Sequence, residues 1–403
     1  MTSSVLDKIE MAPKDPILGV TEAYVADTNP KKVNLGVGIY TDDDGKVPVL
    51  QCVRKAEQKL VETALPRAYL PIDGIAAYDK ATQQALFGAD SEPVKSGRVV
   101  TVQTLGGTGG LKVGGDFLRR FNPGAELYIS DPSWENHRAL FEYAGFNVKT
   151  YPYYDAATNG VKFDAMLAAL GAMAKGSVVV LHACCHNPTG IDLTPAQWQK
   201  VLAAVKQNEL VPFLDLAYQG FADGLDADAA VVRKFATELP AVFVSSSYSK
   251  SMSLYGERVG ALSIVTRDKD EAARTLSQLK RVIRTNYSNP PTHGGQAVAM
   301  VLTNPELRAL WEQELAGMRD RIKVMRKSLV EKVREQRADF DFGFIVDQRG
   351  MFSYSGLTKA QVTKLREKYS IYALDSGRIC VAALNTKNID YVAKAIGDVL
   401  VSS

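Results

Sequence analysis

Short apolar segments alternate with helical patterns between Val99 and Val265, and this alternation constrains the fold more than any other feature of the chain. Such alternation is typical of an α/β fold, in which crossover helices connect the strands of a largely parallel sheet. The segments are apolar throughout, so we expect strands that are buried on both faces. Six strands are predicted, at Val99–Val102, Glu126–Ile129, Val178–Leu181, Val211–Leu214, Ala241–Val244 and Ala261–Ile264.

The residues that follow Asn304 predict a smaller α+β unit. Asn304 and Pro305 form a good helix start, with Asn as the cap and Pro at the first helical position. The long helical pattern that they open is followed by further short elements, and we place a domain boundary near Gly317. The later elements are predicted as strands within Phe340–Ser353, a helix at Lys359–Tyr369, a strand at Arg378–Ala383 and a helix at Asn388–Val401.

Composition limits the partners that the protein can have. A length of 403 residues suggests two or three domains, and 48 basic against 45 acidic residues leave a net charge of +3. This small excess argues against nucleic acid or an anionic membrane as a partner. Two of the four cysteines are adjacent and the other two lie far apart, which does not suggest a disulfide framework. Neither a signal peptide nor an 18-residue apolar span is evident. We therefore expect a cytoplasmic protein that binds neither membranes nor nucleic acids.

Polar and aromatic residues follow five of the predicted strands. Because ligands bind beyond the carboxyl ends of the strands in an open parallel sheet, these segments are expected to meet at one site. The five segments are Gly106–Gly110, Asp131–His137, His182–Gly190, Asp215–Tyr218 and Ser245–Lys250.

The glycine-rich turn at Gly106–Gly110 is a candidate phosphate site. A strand-to-helix turn presents backbone N–H groups and a helix dipole to an anion, although the spacing matches neither a Walker loop nor the dinucleotide fingerprint. Ser247, Ser249 and Arg258 are a second candidate anchor, because hydroxyl groups and a guanidinium suit the oxygens of a phosphate.

Lys250 is the candidate nucleophile. Most lysines are solvated surface charges, but this one follows a buried strand, where partial desolvation would lower its pKa and free the amine to attack an aldehyde. Asp215 could protonate a pyridine nitrogen, or it could simply cap a helix. Together, a phosphate site, a reactive lysine and an acid meet the requirements of pyridoxal 5′-phosphate.

At this point the sequence resembles the class I aminotransferases, which include the aspartate and aromatic-amino-acid transaminases. Ser247-Tyr248-Ser249-Lys250 through Gly256-Glu257-Arg258 resembles their pyridoxal-lysine signature. Further matching segments extend over nearly the whole chain, and they are Asp15–Leu18, Asn34–Gly38, His186–Gly190, Asp215–Phe221, Tyr287–Pro291 and Ser376–Arg378.

The resemblance implies a homodimer of the fold type I class of pyridoxal-phosphate-dependent transferases, with active sites shared between subunits. Each chain would carry an N-terminal arm (1–14), a large cofactor domain (46–317) with a mostly parallel seven-stranded sheet, and a smaller α+β domain (15–45 and 318–403). The resemblance implies no metal ion at the site.

The resemblance also implies roles for individual residues. The implied catalytic residues are Lys250, Asp215, Tyr218 and Tyr69. Cofactor contacts are implied for Gly107, Thr108, Trp134, Asn187, Asp215, Tyr218, Ser247, Ser249, Lys250 and Arg258, and for Tyr69 of the partner subunit. Substrate contacts are implied for Gly38, Trp134, Asn187 and Arg378, and for Arg284 of the partner subunit. Of these, Arg378 would bind the α-carboxylate, with Gly38 and Asn187 nearby, and Arg284 would face a side-chain carboxylate.

The implied reaction is ping-pong transamination. An amino acid displaces Lys250 from its aldimine, the freed amine moves a proton, and pyridoxamine phosphate then passes the amino group to 2-oxoglutarate. Ser251 and Gly256 stand where many aspartate-preferring members carry Asn, and Tyr69–Ile72 and Gln103–Gly107 look more like the branch that accepts tyrosine and phenylalanine. We therefore favour an aromatic aminotransferase with aspartate activity over a strict aspartate enzyme.

The sequence leaves three other interpretations open. His182, Cys184 and His186 would share one face of an extended strand as a metal site, but Asn187-Pro188 breaks that strand and no fourth ligand is evident. A cofactor-binding domain without activity would be expected beside a helix-turn-helix segment, which we do not find. A lyase or decarboxylase on the same fold is a closer alternative. Tyr255 and Trp311 are interpreted as core or interface residues.

Overall fold

A seven-stranded sheet forms the centre of the protein, as a computed structural model that describes residues 4–13, 15–64 and 66–400 shows. Residues 1–3 and 14 of the predicted arm, and residues 401–403 of the predicted small domain, lie outside the described residues. The strands are β1 (Val33–Asn34), β2 (Val99–Leu105), β3 (Leu127–Asp131), β4 (Val148–Pro152), β5 (Tyr154–Asp155), β6 (Gly160–Val161), β7 (Val178–His182), β8 (Val211–Leu216), β9 (Val242–Ser247), β10 (Val259–Val265), β11 (Phe352–Tyr354), β12 (Ile371–Tyr372) and β13 (Arg378–Cys380).

The order of the central sheet is β2-β10-β9-β8-β7-β3-β4, and β10 runs in the direction opposite to the other six strands. The predicted α/β class with a mostly parallel sheet is therefore confirmed, and all six predicted strands belong to it. The sheet has the seven strands that the resemblance implies, but the position of the seventh, β4, was not predicted from the apolar segments. It lies at the sheet edge, where Val148 and Tyr151 are buried while Lys149, Thr150 and Pro152 are exposed, so it lacks a continuous apolar segment.

Helices cover both faces of this sheet. They are α1 (Leu18–Ala26), α2 (Gln51–Thr63), α3 (Ala76–Phe87), α4 (Glu92–Lys95), α5 (Gly106–Phe121), α6 (Glu135–Tyr143), α7 (Phe163–Ala172), α8 (Pro195–Gln207), α9 (Leu225–Asp228), α10 (Ala230–Glu238), α11 (Lys269–Asn286), α12 (His293–Thr303), α13 (Pro305–Gln336), α14 (Lys359–Tyr369) and α15 (Ile389–Leu400). Across the described residues, no helix combines the length and the apolar character needed to cross a lipid bilayer.

The two faces of the sheet border separate hydrophobic cores. In β7, Val178 and Val180 point into one core, while Val179 and Leu181 point into the other. Successive side chains of a strand alternate between faces, so a strand that is covered on both sides needs apolar residues at every position. All five residues of β7 are buried, as its continuous apolar pattern predicts.

The helix α13 begins where its sequence predicts. The Asn304 side chain caps it, because the carboxamide oxygen accepts a hydrogen bond from the Leu307 N–H at 3.0 Å. The helix then continues without a break through Gly317 to Gln336 and buries an apolar stripe at Met318, Ile322, Met325, Leu329 and Val333.

The prediction of strands within Phe340–Ser353 holds only at its end, where Phe352 and Ser353 belong to β11. Gly343–Asp347 forms a 3₁₀ helix, and strand pairing begins only at Phe352, opposite Cys380. Gly350, at φ +81°, turns the chain just before that strand. The strand predicted at Arg378–Ala383 ends at Cys380 and continues as a 3₁₀ turn.

Candidate active site

One cavity, of about 190 Å³, lies beyond the carboxyl ends of the parallel strands and collects most of the predicted site. Twelve of the fourteen predicted site residues line it. They are Gly38, Gly107, Thr108, Trp134, Asn187, Asp215, Tyr218, Ser247, Ser249, Lys250, Arg258 and Arg378. They come from segments up to 340 positions apart in sequence, so only the folded chain brings them together.

Tyr69 and Arg284 are the two predicted site residues that do not line this cavity. The Tyr69 side chain is 93% exposed and borders a separate surface depression together with Asn289 and Pro290. Arg284 lies on an exposed face near the end of α11, where its guanidinium donates to the Ser288 hydroxyl. Within one chain, neither residue reaches the cavity that the other twelve share.

Lys250 stands three residues beyond the end of β9 and faces the cavity. Its Nζ atom lies 4.7 Å from the centroid of the Tyr218 ring, and no carboxylate among the described residues forms an ion pair with it. Burial lowers the pKa of the Lys250 amine to about 8; the nearby positive charges of Arg258 and Arg378 act in the same direction, and Asp215 opposes them. An appreciable fraction of this amine is therefore neutral, and hence nucleophilic, near neutral pH.

Asp215 lies near the end of β8, where it is buried and charged. Its Oδ2 atom accepts a hydrogen bond from His137 Nε2 at 3.0 Å, and His137 Nδ1 lies 2.9 Å from the Ser133 hydroxyl. Burial alone would raise the pKa of Asp215, but the hydrogen bond from His137 and the electrostatic influence of His137, His182 and Lys250 hold that pKa below its ordinary value. The cavity thus contains a fixed carboxylate that can stabilise a protonated nitrogen.

His137 lies in the segment Asp131–His137 that was expected at the site, but the sequence predicted no role for it. This histidine is buried on the first turn of α6, three residues after Trp134, and its ring packs edge-on against the indole at 5.3 Å between centroids. Residues three apart share a helix face, so the placement of Trp134 beside the site was a signal that could have identified His137.

The cavity has a strongly anion-attracting end. The helix α5 begins at Gly106 directly after β2, so the N–H groups of its first turn, including Gly107 and Thr108, have no partner within the helix. Arg258 closes the same end and donates to the Ser249 hydroxyl at 3.2 Å. Gly106 has φ +67°, and a Cβ atom there would lie only 2.4 Å from Arg258 Nη2, so this close approach requires glycine. Helix dipole, N–H groups, hydroxyls and guanidinium together suit a phosphate.

Arg378 presents a second positive charge at the other side of the cavity. The residue is 1% exposed, and its guanidinium donates to Asn187 Oδ1 at 3.0 Å and to the Gly36 carbonyl at 2.5 Å. Among the described residues, its buried Nε atom has no hydrogen-bond partner. Two of the guanidinium nitrogens are fixed by these hydrogen bonds, and its remaining N–H groups can donate to a carboxylate ligand.

Several cavity residues lie outside the predicted set. Tyr255, interpreted as core or interface, borders the cavity instead, and its hydroxyl accepts a hydrogen bond from the Tyr40 N–H at 2.9 Å. Trp311 is a core residue, as interpreted, and is 1% exposed. The other additional lining residues are Ile17, Leu111, His182, Ala217 and Phe352.

The three residues considered as metal ligands from the sequence, His182, Cys184 and His186, do not form the cluster of possible ligands found in the structure. Among the described residues, the donor atoms that cluster within 4.8 Å belong to His137, His182 and Asp215 rather than to His182, Cys184 and His186. His186 instead has both ring nitrogens occupied, by the hydroxyls of Ser130 at 2.9 Å and Thr189 at 2.8 Å. It is a hydrogen-bonded core histidine.

Comparison with known proteins places this geometry in context. The pattern of the family described as aminotransferase class I and II matches residues 30–396. An aspartate aminotransferase of Pseudomonas aeruginosa is 60% identical over 397 residues, which cover 98% of this chain and all of the relative. An aromatic-amino-acid aminotransferase of Escherichia coli is 49% identical and is covered to the same extents. A solved aromatic-amino-acid aminotransferase of Burkholderia pseudomallei, covalently bound to pyridoxal phosphate, is 66% identical, with a TM-score of 0.97 over 99% of this chain and 100% of that one.

Proposed function

This chain belongs to the class I and II aminotransferases, and from that premise we propose that it moves the amino group of tyrosine, phenylalanine or aspartate to 2-oxoglutarate. The observation that carries the proposal is the convergence of three groups on one cavity. A lysine with a lowered pKa, a buried ionised carboxylate and an anion-binding helix start all face it.

Pyridoxal phosphate is the cofactor, and the cavity fits it on its own chemistry. The phosphate group suits the end formed by the α5 N-terminus and Arg258. There the Arg258 guanidinium approaches the Gly106 backbone so closely that a Cβ atom on residue 106 would collide with it. Bound there, pyridoxal phosphate supplies an aldehyde that condenses with amines and a ring that accepts the electron pair of a broken C–H bond. Lys250, Asp215, Tyr218, Trp134 and Asn187 are the residues that we propose as its other contacts.

Each proposed residue has a task that its surroundings explain. Lys250 is the base and acid that takes the substrate Cα proton and returns it, since its pKa of about 8 suits proton transfer in both directions near neutral pH. Asp215 keeps the ring nitrogen protonated through a carboxylate that His137 orients. Arg378 binds the α-carboxylate and fixes the substrate beside Lys250.

The proposed assembly is a homodimer. Tyr69 and Arg284 are exposed and lie outside the cavity of their own chain, which is what residues serving a partner's site require. We propose that Tyr69 contacts the phosphate, and Arg284 a side-chain carboxylate, in the neighbouring subunit. We place the protein in the cytoplasm, and the four buried cysteines, all of them free thiols, agree with a reducing compartment.

The proposed domain division is an arm at 1–14, a large domain at 46–317 and a small domain at 15–45 and 318–403. The parallel pairing of β1 with β12 supports it, because Val33 and Asn34 join Ile371 and Tyr372 in one small sheet. Val33 and Asn34 thereby pair with the C-terminal unit rather than with the central sheet.

We expect aromatic donors to be preferred over aspartate. Measuring kcat/KM for tyrosine, phenylalanine and aspartate, each with 2-oxoglutarate, should give the higher values for the two aromatic acids. Apolar pocket differences shift such ratios by about 10–200-fold. Aspartate values far above both aromatic values would favour the alternative of a strict aspartate aminotransferase. Release of pyruvate and ammonia in place of the 2-oxo acid would instead reveal a lyase.

A further inference from the structure

Arg326 is a buried cation outside the cavity whose hydrogen bonds go only to uncharged acceptors. It lies on α13, is 3% exposed, and donates to the carbonyls of Gly350 at 2.5 Å and Phe352 at 3.3 Å, and to the Ser353 hydroxyl at 3.2 Å. No carboxylate among the described residues forms an ion pair with it, and burial lowers its pKa to about 10. Burying a guanidinium without a carboxylate partner costs folding free energy. The backbone segment to which Arg326 donates is therefore a candidate for a functional role.

The segment that Arg326 holds, residues 349–353, includes Phe352, whose side chain forms part of the cavity wall. The Phe352 ring centroid lies 4.1 Å from Arg378 Cζ and 5.9 Å from the Tyr218 ring, which it meets edge-on. On another side the ring is so close to Gly38 that a Cβ atom there would lie 2.6 Å from Phe352 Cζ. The ring is therefore confined among three residues of the cavity and cannot move without moving them.

The same segment interlocks with the loop that supplies Asn187. The Arg349 N–H donates to the Gly190 carbonyl at 2.6 Å, and a Cβ atom on Gly350 would lie 2.5 Å from that of Cys185. Asn187, between these two contacts, accepts the hydrogen bond from Arg378. Two of the neighbours that orient the Arg378 guanidinium, Phe352 and Asn187, thus depend on the position of the segment that Arg326 holds, while the third, the Gly36 carbonyl, lies outside it.

We propose that Arg326 is a positioning residue for recognition of the substrate carboxylate, acting through Phe352 and Asn187 on the orientation of Arg378. Bidentate binding by a planar guanidinium depends on its direction, so a tilt of Arg378 would weaken carboxylate binding. The inference rests on the proposed function in one respect, the assignment of Arg378 to the α-carboxylate.

The test compares Arg326→Met and Arg326→Lys with a matched control, Arg321→Lys. Arg321 is on the same helix and also donates to two backbone carbonyls, those of Thr41 and Leu384, neither of which borders the cavity. We expect Arg326→Met to raise both the KM of the amino donor and the calorimetric Kd of succinate, a non-reactive dicarboxylate, by about tenfold with kcat within about threefold. Arg326→Lys should recover part of the loss, and Arg321→Lys should leave both constants unchanged.

Three outcomes would overturn the inference. They are unchanged KM and Kd in folded Arg326 variants, a fall in kcat alone, or an equal effect in Arg321→Lys. If Arg326→Met does not fold, Phe352→Leu provides the second measurement and should raise the Kd of succinate in the same way; an unchanged Kd there also refutes the proposal. A wild-type protein that binds succinate but transfers no amino group would refute the proposed function, while the succinate measurement would still decide the role of Arg326.

Discussion

Lys250→Ala should reduce the transamination kcat by at least about 10³-fold, because general acid–base catalysis alone contributes about 10²–10⁴-fold and this amine has no substitute in the cavity wall. Among the described residues that line the cavity, Lys250 is the one lysine. The variant should also lack the visible absorption band that arises when the cofactor is attached to a lysine, even with pyridoxal phosphate in excess. Stopped assays of 2-oxo acid formation and an absorption spectrum measure the two effects.

The matched control is Lys80→Ala, which removes an exposed lysine from α3. It should keep both the activity and the spectrum of the unaltered protein. A Lys250→Ala protein that retained the band, or more than a few per cent of kcat, would show that the amine is neither the attachment point nor the proton carrier.

Asp215→Asn should lower kcat by about 10²–10³-fold, comparable to the loss of one preorganised electrostatic contact in an active site. Asparagine keeps the size of the side chain but removes the charge, so a ring nitrogen beside it would lose its proton. The hydrogen bond from His137 could persist, which confines the change to electrostatics. Steady-state kcat with saturating cofactor is the measurement.

Asp228→Asn serves as the control for this substitution. Asp228 is another buried carboxylate, which accepts hydrogen bonds from the N–H groups of Gly220, Ala222 and Asp223, but it does not line the cavity. Its replacement should lower the melting temperature without a comparable loss of kcat. Equal losses of kcat in the two variants would mean that Asp215 acts through stability rather than through its charge.

Sequence patterns predicted the centre of the fold well, for a physical reason. Strands buried on both faces need apolar residues at every position, so β7 and β8 are visible as continuous apolar segments. The edge strand β4 is exposed at three of its five positions, so its sequence shows no continuous apolar segment. Between Phe340 and Ser353, the local conformation depends on tertiary contacts such as the hydrogen bonds from Arg326. The spacing of apolar residues along the sequence does not predict such contacts.

The candidate site was predictable where a residue lies at, or a few positions beyond, the carboxyl end of a strand. Lys250 and Asp215 stand at such positions, and the sheet brings them to one edge. His137 and Phe352 were missed because their places depend on packing, in one case against Asp215 and in the other against Arg378. Tyr69 and Arg284 came from the family resemblance alone, because Tyr69 lies between α2 and α3 and Arg284 lies on α11, away from the strand ends.

A single half-reaction tests the central claim most directly. Holoprotein is mixed with tyrosine or aspartate and no 2-oxo acid acceptor, and the absorption spectrum and the released 2-oxo acid are followed together. We expect one equivalent of 2-oxo acid per active site, conversion of the cofactor to its pyridoxamine form, and return of the original spectrum when 2-oxoglutarate is added. Continued turnover without an acceptor, or an unchanged cofactor spectrum while product forms, would contradict the account.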